Sequence, residues 1–473
     1  MQTRLFIDNR WTDGSARQAV VNPASGAVIE HVHLASPQQL EQAVTFAQGA
    51  FESRPQPHQR RDWLHAIAGA IEGRSEAFAQ AICLEAGKPI SLSRVEVSRA
   101  LTTFRTAAEE AVRAEGEVLN LDFDQASAGR TGIVKRFPLG VVLGISPFNF
   151  PLGLVAHKVA PAIAVGCPIV LRPSRSTPLT ALLLAEACLA AQLPAGWLQV
   201  VACDSRDAGV LVRHPRVRKV SFTGSADVGW KLREQAFDKH VTLELGGNAA
   251  VLVDACADLD LAAKRCALGA FLYAGQVCIS VQRVLCHSRV YDAFRERLVR
   301  ETLALRVGDP ADPEVVVGPM ITPAEADRVV QWVDEAKAAG ARALTPVERS
   351  GSVVRPALLE GAGPELKVNR EEVFGPVCTL TPFDQFAEAV ATANDTAYGL
   401  QAGVFTRDLD HAMYAFEHLE VGGVIHNDYS TFRTDPMPYG GVKRSGHGRE
   451  GVRYAMEAMT EPRLLVLRQP TGG

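Results

Sequence analysis

An α/β fold of more than one domain is predicted from three features of this 473-residue chain: its length, its ample apolar content, and the alternation of short β-rich runs with helical patterns from Gly140 onward. A chain this long exceeds what one core usually supports, so two or three domains are expected. Alternating strands and helices imply a mostly parallel sheet covered on both faces, with ligands at the carboxyl ends of its strands. The net charge of −4 is spread over interspersed basic and acidic residues, without a basic face for nucleic acid or an acidic tail. Small molecules are therefore the expected partners. Nine cysteines lack CxxC spacing and nearby His pairs, so neither a disulfide framework nor a metal site is expected, and a reducing cytoplasm follows.

Taken in order, residues 1–35 read as short strands and turns at an edge, with turn signals at Asn22-Pro23 and Ser25-Gly26. The start, residues 1–11, alternates charged and apolar side chains rather than forming a signal-peptide core. Helical spacing then runs through residues 40–51, 61–85 and 90–112, broken at Pro55-Gln56-Pro57 and Gly87-Lys88-Pro89. Residues 131–137 alternate apolar and charged side chains, the period of a half-exposed strand. Such a strand is either an oligomer contact or a surface hairpin, and the strand-like run 463–467 could pair with it.

From Gly140, strands at 141–145, 169–171, 198–201 and 217–222 alternate with helices at 152–165, 178–192 and 207–213, which is the pattern of a nucleotide domain. A second alternating region spans residues 251–424, with helices at 259–271, 291–305, 323–339, 384–393 and 409–419. The apolar stretch 139–171 is cut by Pro147, Pro151, Pro161 and Pro168 into pieces too short to span a bilayer.

Three segments place special residues next to predicted strands. Asn149 is wedged between aromatics and prolines in Pro147-Phe148-Asn149-Phe150-Pro151, as a turn former or an oriented amide donor. Glu244 is one carboxylate in an apolar run before Gly246-Gly247; unpaired, its ionised form would be disfavoured, which tunes a base toward neutrality. The alternative is a glutamate paired with a structural Arg. Cys278, in Gly275-Gln276-Val277-Cys278-Ile279-Ser280, is a packing thiol or a nucleophile. Together the three make a nucleophile, a base and an oxyanion donor. The other eight cysteines read as small core residues, and His157 with Lys158 as a helix face near a cofactor.

These segments, with Phe222-Thr223-Gly224-Ser225, Glu372-Val373-Phe374-Gly375-Pro376 and Pro438-Tyr439-Gly440-Gly441-Val442-Lys443, resemble the aldehyde dehydrogenase superfamily in order and approximate spacing over essentially the whole chain. The run 278–283 and the ending 454–460 are similar to the branch of lactaldehyde and non-phosphorylating glyceraldehyde-3-phosphate dehydrogenases. The resemblance implies a Rossmann-like nucleotide domain (1–121 and 139–245), an α/β catalytic domain (246–445) and a β oligomerisation segment (122–138 and 446–473), in a homodimer or homotetramer. It implies that the Cys278 thiolate attacks an aldehyde, that Asn149 and the Cys278 N–H hold the oxyanion, and that Glu244 activates the water that releases an acid. Relatives that pass the acyl group to coenzyme A lack a glutamate at this position, so hydrolysis is expected.

Cofactor residues implied by the same resemblance are Ser146, Pro147, Phe148, Arg172, Ser174, Arg175, Gly224, Ser225, Gly246, Glu372 and Phe374, for NADP or NAD. Gly224-Ser225 opens a helix whose N-terminus can receive a pyrophosphate. Arg172 and Arg175 stand where relatives have Lys and where NAD-specific ones often have Glu, so NADP is favoured. Arg105, Phe150 and Arg433 are expected at the substrate, with a small hydroxylated or anionic aldehyde as the substrate class. Arg105 could instead pair with Glu109 on its own helix. The competing readings are a succinic semialdehyde type of dehydrogenase and a non-catalytic binding protein on the same scaffold.

Overall fold

The computed structural model describes residues 2–113 and 116–469. Its first sheet has eight strands, in the order Arg10–Thr12, Leu5–Ile7, Leu198–Val200, Ile169–Arg172, Val141–Ile145, Val217–Thr223, His240–Glu244, Gly446–His447. The five strands between residues 141 and 244 are mutually parallel and lie in the spatial order 3-2-1-4-5. That order reverses direction between Val141–Ile145 and Val217–Thr223. A crevice therefore opens at their carboxyl ends, the place where doubly wound sheets bind ligands. Val141–Ile145 is buried along its length because helices cover both faces of the sheet. Helix Gly153–Val165 is apolar apart from His157 and Lys158 and is buried from Leu154 to Ala164, as a helix wedged between sheet and other helices must be.

The second sheet has seven strands: Arg342–Ala343, Ala357–Glu360, Val377–Phe383, Val281–His287, Ala249–Val253, Gln401–Phe405 and Gly423–His426. All of its pairings are parallel except that of Arg342–Ala343 at the edge. A three-stranded sheet is built from Glu117–Asn120, Arg130–Pro138 and Thr460–Arg468. Its last two strands pair antiparallel from Thr460 opposite Pro138 to Arg468 opposite Arg130. The expected pairing of the chain's end with the protruding segment is thus present.

Three details differ from the sequence reading. The helical run 61–85 is two helices, Pro57–Glu72 and Ser75–Ala86, because Gly73 weakens helix continuation and the chain turns there. The small sheet begins at Glu117, within the span assigned to the nucleotide domain. Gly446–His447 pairs with Leu243 and Glu244 in the first sheet, and helix Val452–Ala458 packs on Gly153–Val165, so only the strand from Thr460 belongs to the small sheet. An apolar helix face needs a core, and that sheet has none to offer.

A buried ion pair fixes the mouth of the crevice. Lys88 Nζ lies 2.5 Å from Glu96 Oε2, donates to the Asn149 carbonyl at 3.1 Å and sits 3.3 Å over the Phe150 ring. The other Glu96 oxygen accepts from the backbone N–H groups of Leu152 and Gly153, each at 2.9 Å. Replacing Glu96 by Ala leaves the buried Lys88 without a counter-charge, with only the Asn149 carbonyl and the aromatic rings beside it, and such breaks cost about 3–5 kcal/mol. Urea unfolding of Glu96→Ala is expected to show a loss of that size.

Candidate active site

Cys278 lies in a loop with little freedom. After helix Leu259–Phe271 the backbone enters left-handed conformations at Tyr273, Ala274 and Gly275; a Cβ at Gly275 would come within 2.2 Å of the Gly375 carbonyl. Buried Gln276 donates to the carbonyls of Tyr273 and Pro319 and accepts from the Ile321 N–H. Ser280 Oγ donates to the Gly269 and Ala270 carbonyls before strand Val281–His287 begins. The thiol is partly buried and lies 2.9 Å from the Tyr439 hydroxyl. Burial pushes it up to about 12, against the lowering influence of Tyr439 and Arg433.

The other two residues approach from the first sheet. Asn149 is buried and donates from Nδ2 to the Gln276 carbonyl at 2.9 Å. An amide nitrogen has two protons, so this bond orients the group and leaves one donor for an oxyanion. Glu244, at the end of strand His240–Glu244, is 2% exposed, and neither of its oxygens has a hydrogen-bond partner. Burial, then the nearby Glu450 charge, raise its pKa well above the usual carboxylate range.

Glu450 shows the opposite behaviour two strand ends away. It accepts from Lys158 Nζ at 2.9 Å and lies 3.4 Å from Arg433. Burial alone would raise it, but Lys158 and Arg433 reverse that and bring it down to about 2. Lys158 is also bonded to Ser221 and Thr223, which places it beneath the strand that leads to Gly224. Lys158 and Arg433 thus contact Glu450, and Glu244 is left buried without a hydrogen-bond partner.

Five of the expected cofactor residues follow the two strands at the strand-order reversal. Ser146, Pro147 and Phe148 follow strand Val141–Ile145, and Gly224 with Ser225 follow strand Val217–Thr223 and open the ten-residue helix Ala226–Gln235. The Ser225 side chain makes no capping bond, so the first amides of that helix point outward unused. Ser146 Oγ and Arg172 Nε are buried without partners. Arg172 otherwise reaches Ser205 at 3.2 Å, while Arg175 contacts Gln18 at 2.5 Å and Asp204 at 3.2 Å; Ser174 accepts from the Ser176 N–H. Glu372 accepts from the Gly247 N–H at 3.0 Å and lies so close that a Cβ on Gly246 would meet it at 2.1 Å; burial raises it to about 7. Phe374 meets Phe148 edge to face at 5.8 Å. Free amides at a helix start, basic groups beyond it and a carboxylate at the inner end fit a dinucleotide.

At the substrate end, Phe150 packs with Cys278 and Tyr439, and Arg433 lies 3.8 Å over the Tyr439 ring. Arg105 is not brought to the site. It is exposed and pairs with Glu72 at 2.7 Å, rather than with Glu109, which contacts His65 and Arg113. Arg99, six residues earlier and on another side of helix Ile90–Ala111 at about 100° per residue, is half-buried at the edge of that helix's buried face. Burial, then the Arg433 charge, lower Arg99 from its ordinary value, while Asp435 and Glu96 oppose this. Buried His157 lies 3.2 Å from Asp435, which also accepts from Thr103. The residues missed were Arg99, Tyr439 and Glu450. Arg99 shares the helical stripe of Glu96 and Thr103, a signal that spacing could have supplied; Glu450 had no local signal. One cysteine also differs: seven of the other eight are buried, but Cys256 is exposed.

A Rossmann-like crevice here meets a second α/β unit at one thiol, one carboxylate without a hydrogen-bond partner and one oriented amide, an arrangement that suits an oxidoreductase. The sequence matches the aldehyde dehydrogenase family over residues 11–465, and the chain belongs to that family, with NAD(P)-dependent oxidation of an aldehyde as its activity. It is 42% identical to 3-sulfolactaldehyde dehydrogenase of Priestia aryabhattai over 467 residues, 98% of each chain. The structure is similar to that of aldehyde dehydrogenase 21 from Physcomitrella patens in complex with the reaction product succinate, with a TM-score of 0.97, 41% identity, and coverage of 99% and 98%. It is also similar to that of glyceraldehyde-3-phosphate dehydrogenase GapN from Methanocaldococcus jannaschii complexed with NADP, with a TM-score of 0.92, 36% identity, and coverage of 96% and 100%. Among the described residues no helix is long and apolar enough to cross a membrane, and no cluster of side chains could hold a metal ion.

The raised Glu244 must be ionised to act as a base, so activity is expected to fall as pH drops through its folded value. Glu450→Gln frees Lys158 and Arg433 to pair with Glu244 and removes a repelling charge. The acidic limb of the kcat–pH profile is then expected to move down by about one unit or more.

Proposed function

We propose that this enzyme oxidises a small anionic aldehyde to its acid, with NADP as the favoured cofactor. The observation that carries the substrate class is the pair Arg99 and Arg433. Arg433 is buried with its guanidinium 3.8 Å over the ring of Tyr439, whose hydroxyl is 2.9 Å from Cys278 Sγ, and its charge lowers the pKa of Arg99; Glu450, 3.4 Å from Arg433, is shared with Lys158, and Asp435 is engaged by His157. An anion placed between Arg99 and Arg433 relieves the repulsion of their charges and sets its aldehyde end toward the thiol. The relatives support the same reading through the sulfonate in one name and the succinate in one complex.

Cys278 forms a bond from sulfur to the aldehyde carbon, and the carbonyl electron pair moves to oxygen. The spare Asn149 amide proton and the Cys278 N–H hold that oxyanion. Gly224-Ser225, Ser146 and Glu372 would hold NAD(P), whose chemistry there would be to accept the hydride that the thiohemiacetal carbon gives up as the oxyanion pair re-forms the C=O of a thioester. Glu244 then takes a proton from water, the water oxygen displaces sulfur from the thioester, and the acid leaves. For NADP, Arg172 ends strand Ile169–Arg172 and Arg175 follows it, where guanidinium forks suit a 2′-phosphate. Asp204 neutralises only part of that charge.

A semialdehyde of the succinic type is the second reading, favoured by the succinate complex of the structural relative. We also propose a homodimer or homotetramer in the cytoplasm. Leu464 to Leu467, which alternate between the two faces of the small sheet, are each close to half exposed, apolar surface for a second copy to cover, and nine free thiols suit a reducing compartment.

Sulfolactaldehyde, succinic semialdehyde, lactaldehyde and glyceraldehyde-3-phosphate, each assayed with both cofactors, test this proposal. An anionic member should lead in kcat/KM, and Arg99→Gln should raise its KM by about tenfold or more while leaving lactaldehyde nearly unchanged. Equal losses for charged and neutral aldehydes would refute the anion site. Arg175→Glu should turn the preference toward NAD; a preference for NAD in the unaltered protein would refute the cofactor proposal.

A further inference from the structure

The Tyr439 hydroxyl is 2.9 Å from Cys278 Sγ and points at the reacting atom from the C-terminal segment, outside the nucleophile's own loop. Its position is fixed from three sides. The Tyr439 and Glu450 backbones exchange hydrogen bonds at 3.0 and 2.6 Å, so the residue is locked to the one that engages Lys158. The ring is 3% exposed and belongs to the apolar cluster of Ala86, Tyr273, Val277 and Leu400. Arg433 covers its face at 3.8 Å, where a cation draws on ring electron density and strengthens the O–H as a donor.

We propose that Tyr439 is a catalytic residue, the hydrogen-bond donor that stabilises the Cys278 thiolate before attack and again when sulfur is expelled from the thioester. In the first step the thiolate forms the S–C bond and the carbonyl pair passes to oxygen. In the last, water displaces sulfur, the C–S bond breaks and its electron pair returns to sulfur. The Tyr439 proton stays on its oxygen throughout. Burial raises the phenol well above its ordinary value, so it remains an O–H donor, while the same contact lowers the thiol against the rise that burial imposes. A thiolate in this setting has few other donors: Asn149 is committed to the oxyanion position and Glu244 is an acceptor when ionised.

This inference rests on Cys278 as nucleophile, and its test is independent of turnover. Alkylation of Cys278 by iodoacetamide is followed by mass spectrometry in the full-length protein without aldehyde or cofactor, for the unaltered chain, Tyr439→Phe and Tyr439→3-fluorotyrosine. At pH 7.5 the Phe variant should react about tenfold more slowly, as expected from loss of a hydrogen bond to a charged group. The fluorinated phenol, a stronger donor of nearly the same shape, should react faster than tyrosine. A Phe variant as reactive as the parent, or an order that does not follow donor strength, would overturn the role; a space-filling tyrosine gives no such order. Failure here leaves the nucleophile itself standing, because that is read separately from whether Cys278→Ala abolishes dehydrogenase activity.

Discussion

Charge is buried in this active site with an uneven distribution of partners, and the chemistry depends on that imbalance. Two carboxylates, Glu244 and Glu450, are enclosed near two cations, and both cations contact Glu450. Shared evenly, the cations would leave two ionised carboxylates of similar strength, neither able to hold a proton near neutrality. Given to one, they produce an anion held at about 2 and a second group whose proton is retained far more readily. Glu450 is therefore part of what makes Glu244 a base, although it touches no reacting atom.

Holding such a network requires three parts of the chain to arrive together. Glu244 ends a strand of the first sheet and Asn149 lies in the loop after another, Cys278 precedes a strand of the second, and Arg433, Tyr439 and Glu450 lie on a segment that returns across both. That segment is anchored through Gly446–His447, which adds a strand beside Glu244 itself. Close approach is also a matter of small residues: a Cβ at Gly440 would stand 2.8 Å from Glu244 Oε1, and one at Gly247 would stand 2.3 Å from the Cys278 carbonyl. Any side chain there would move either the base or the nucleophile loop. The buried Lys88–Glu96 pair does the same for Asn149, since Lys88 holds its carbonyl while Glu96 holds the next turn.

The sequence was most legible where chemistry and local pattern coincide. Parallel strands announce themselves as short apolar runs, and Asn149, Glu244 and Cys278 each interrupt or end such a run, so all three stood out before any contact was known. Arg105 was misread because a helix offers several faces and sequence proximity does not select one; its side chain pairs with Glu72 at the surface, while Arg99, between buried Glu96 and Thr103, is half-buried. Glu450 and Tyr439 were not legible as a pair, because their roles come from contacts with Lys158 and Cys278, which lie 292 and 161 residues away. Long-range electrostatics of this kind leaves no periodicity to read.

The uneven pairing can be measured on Glu244 itself. Infrared difference titration of the parent protein against Glu244→Gln isolates the protonated carboxyl stretch of that one side chain. The account predicts that this band persists well above pH 4.5 and moves to lower pH in Glu450→Gln, where the cations are released. A Glu244 band that disappears at or below pH 4.5, or one that Glu450→Gln leaves in place, would contradict it.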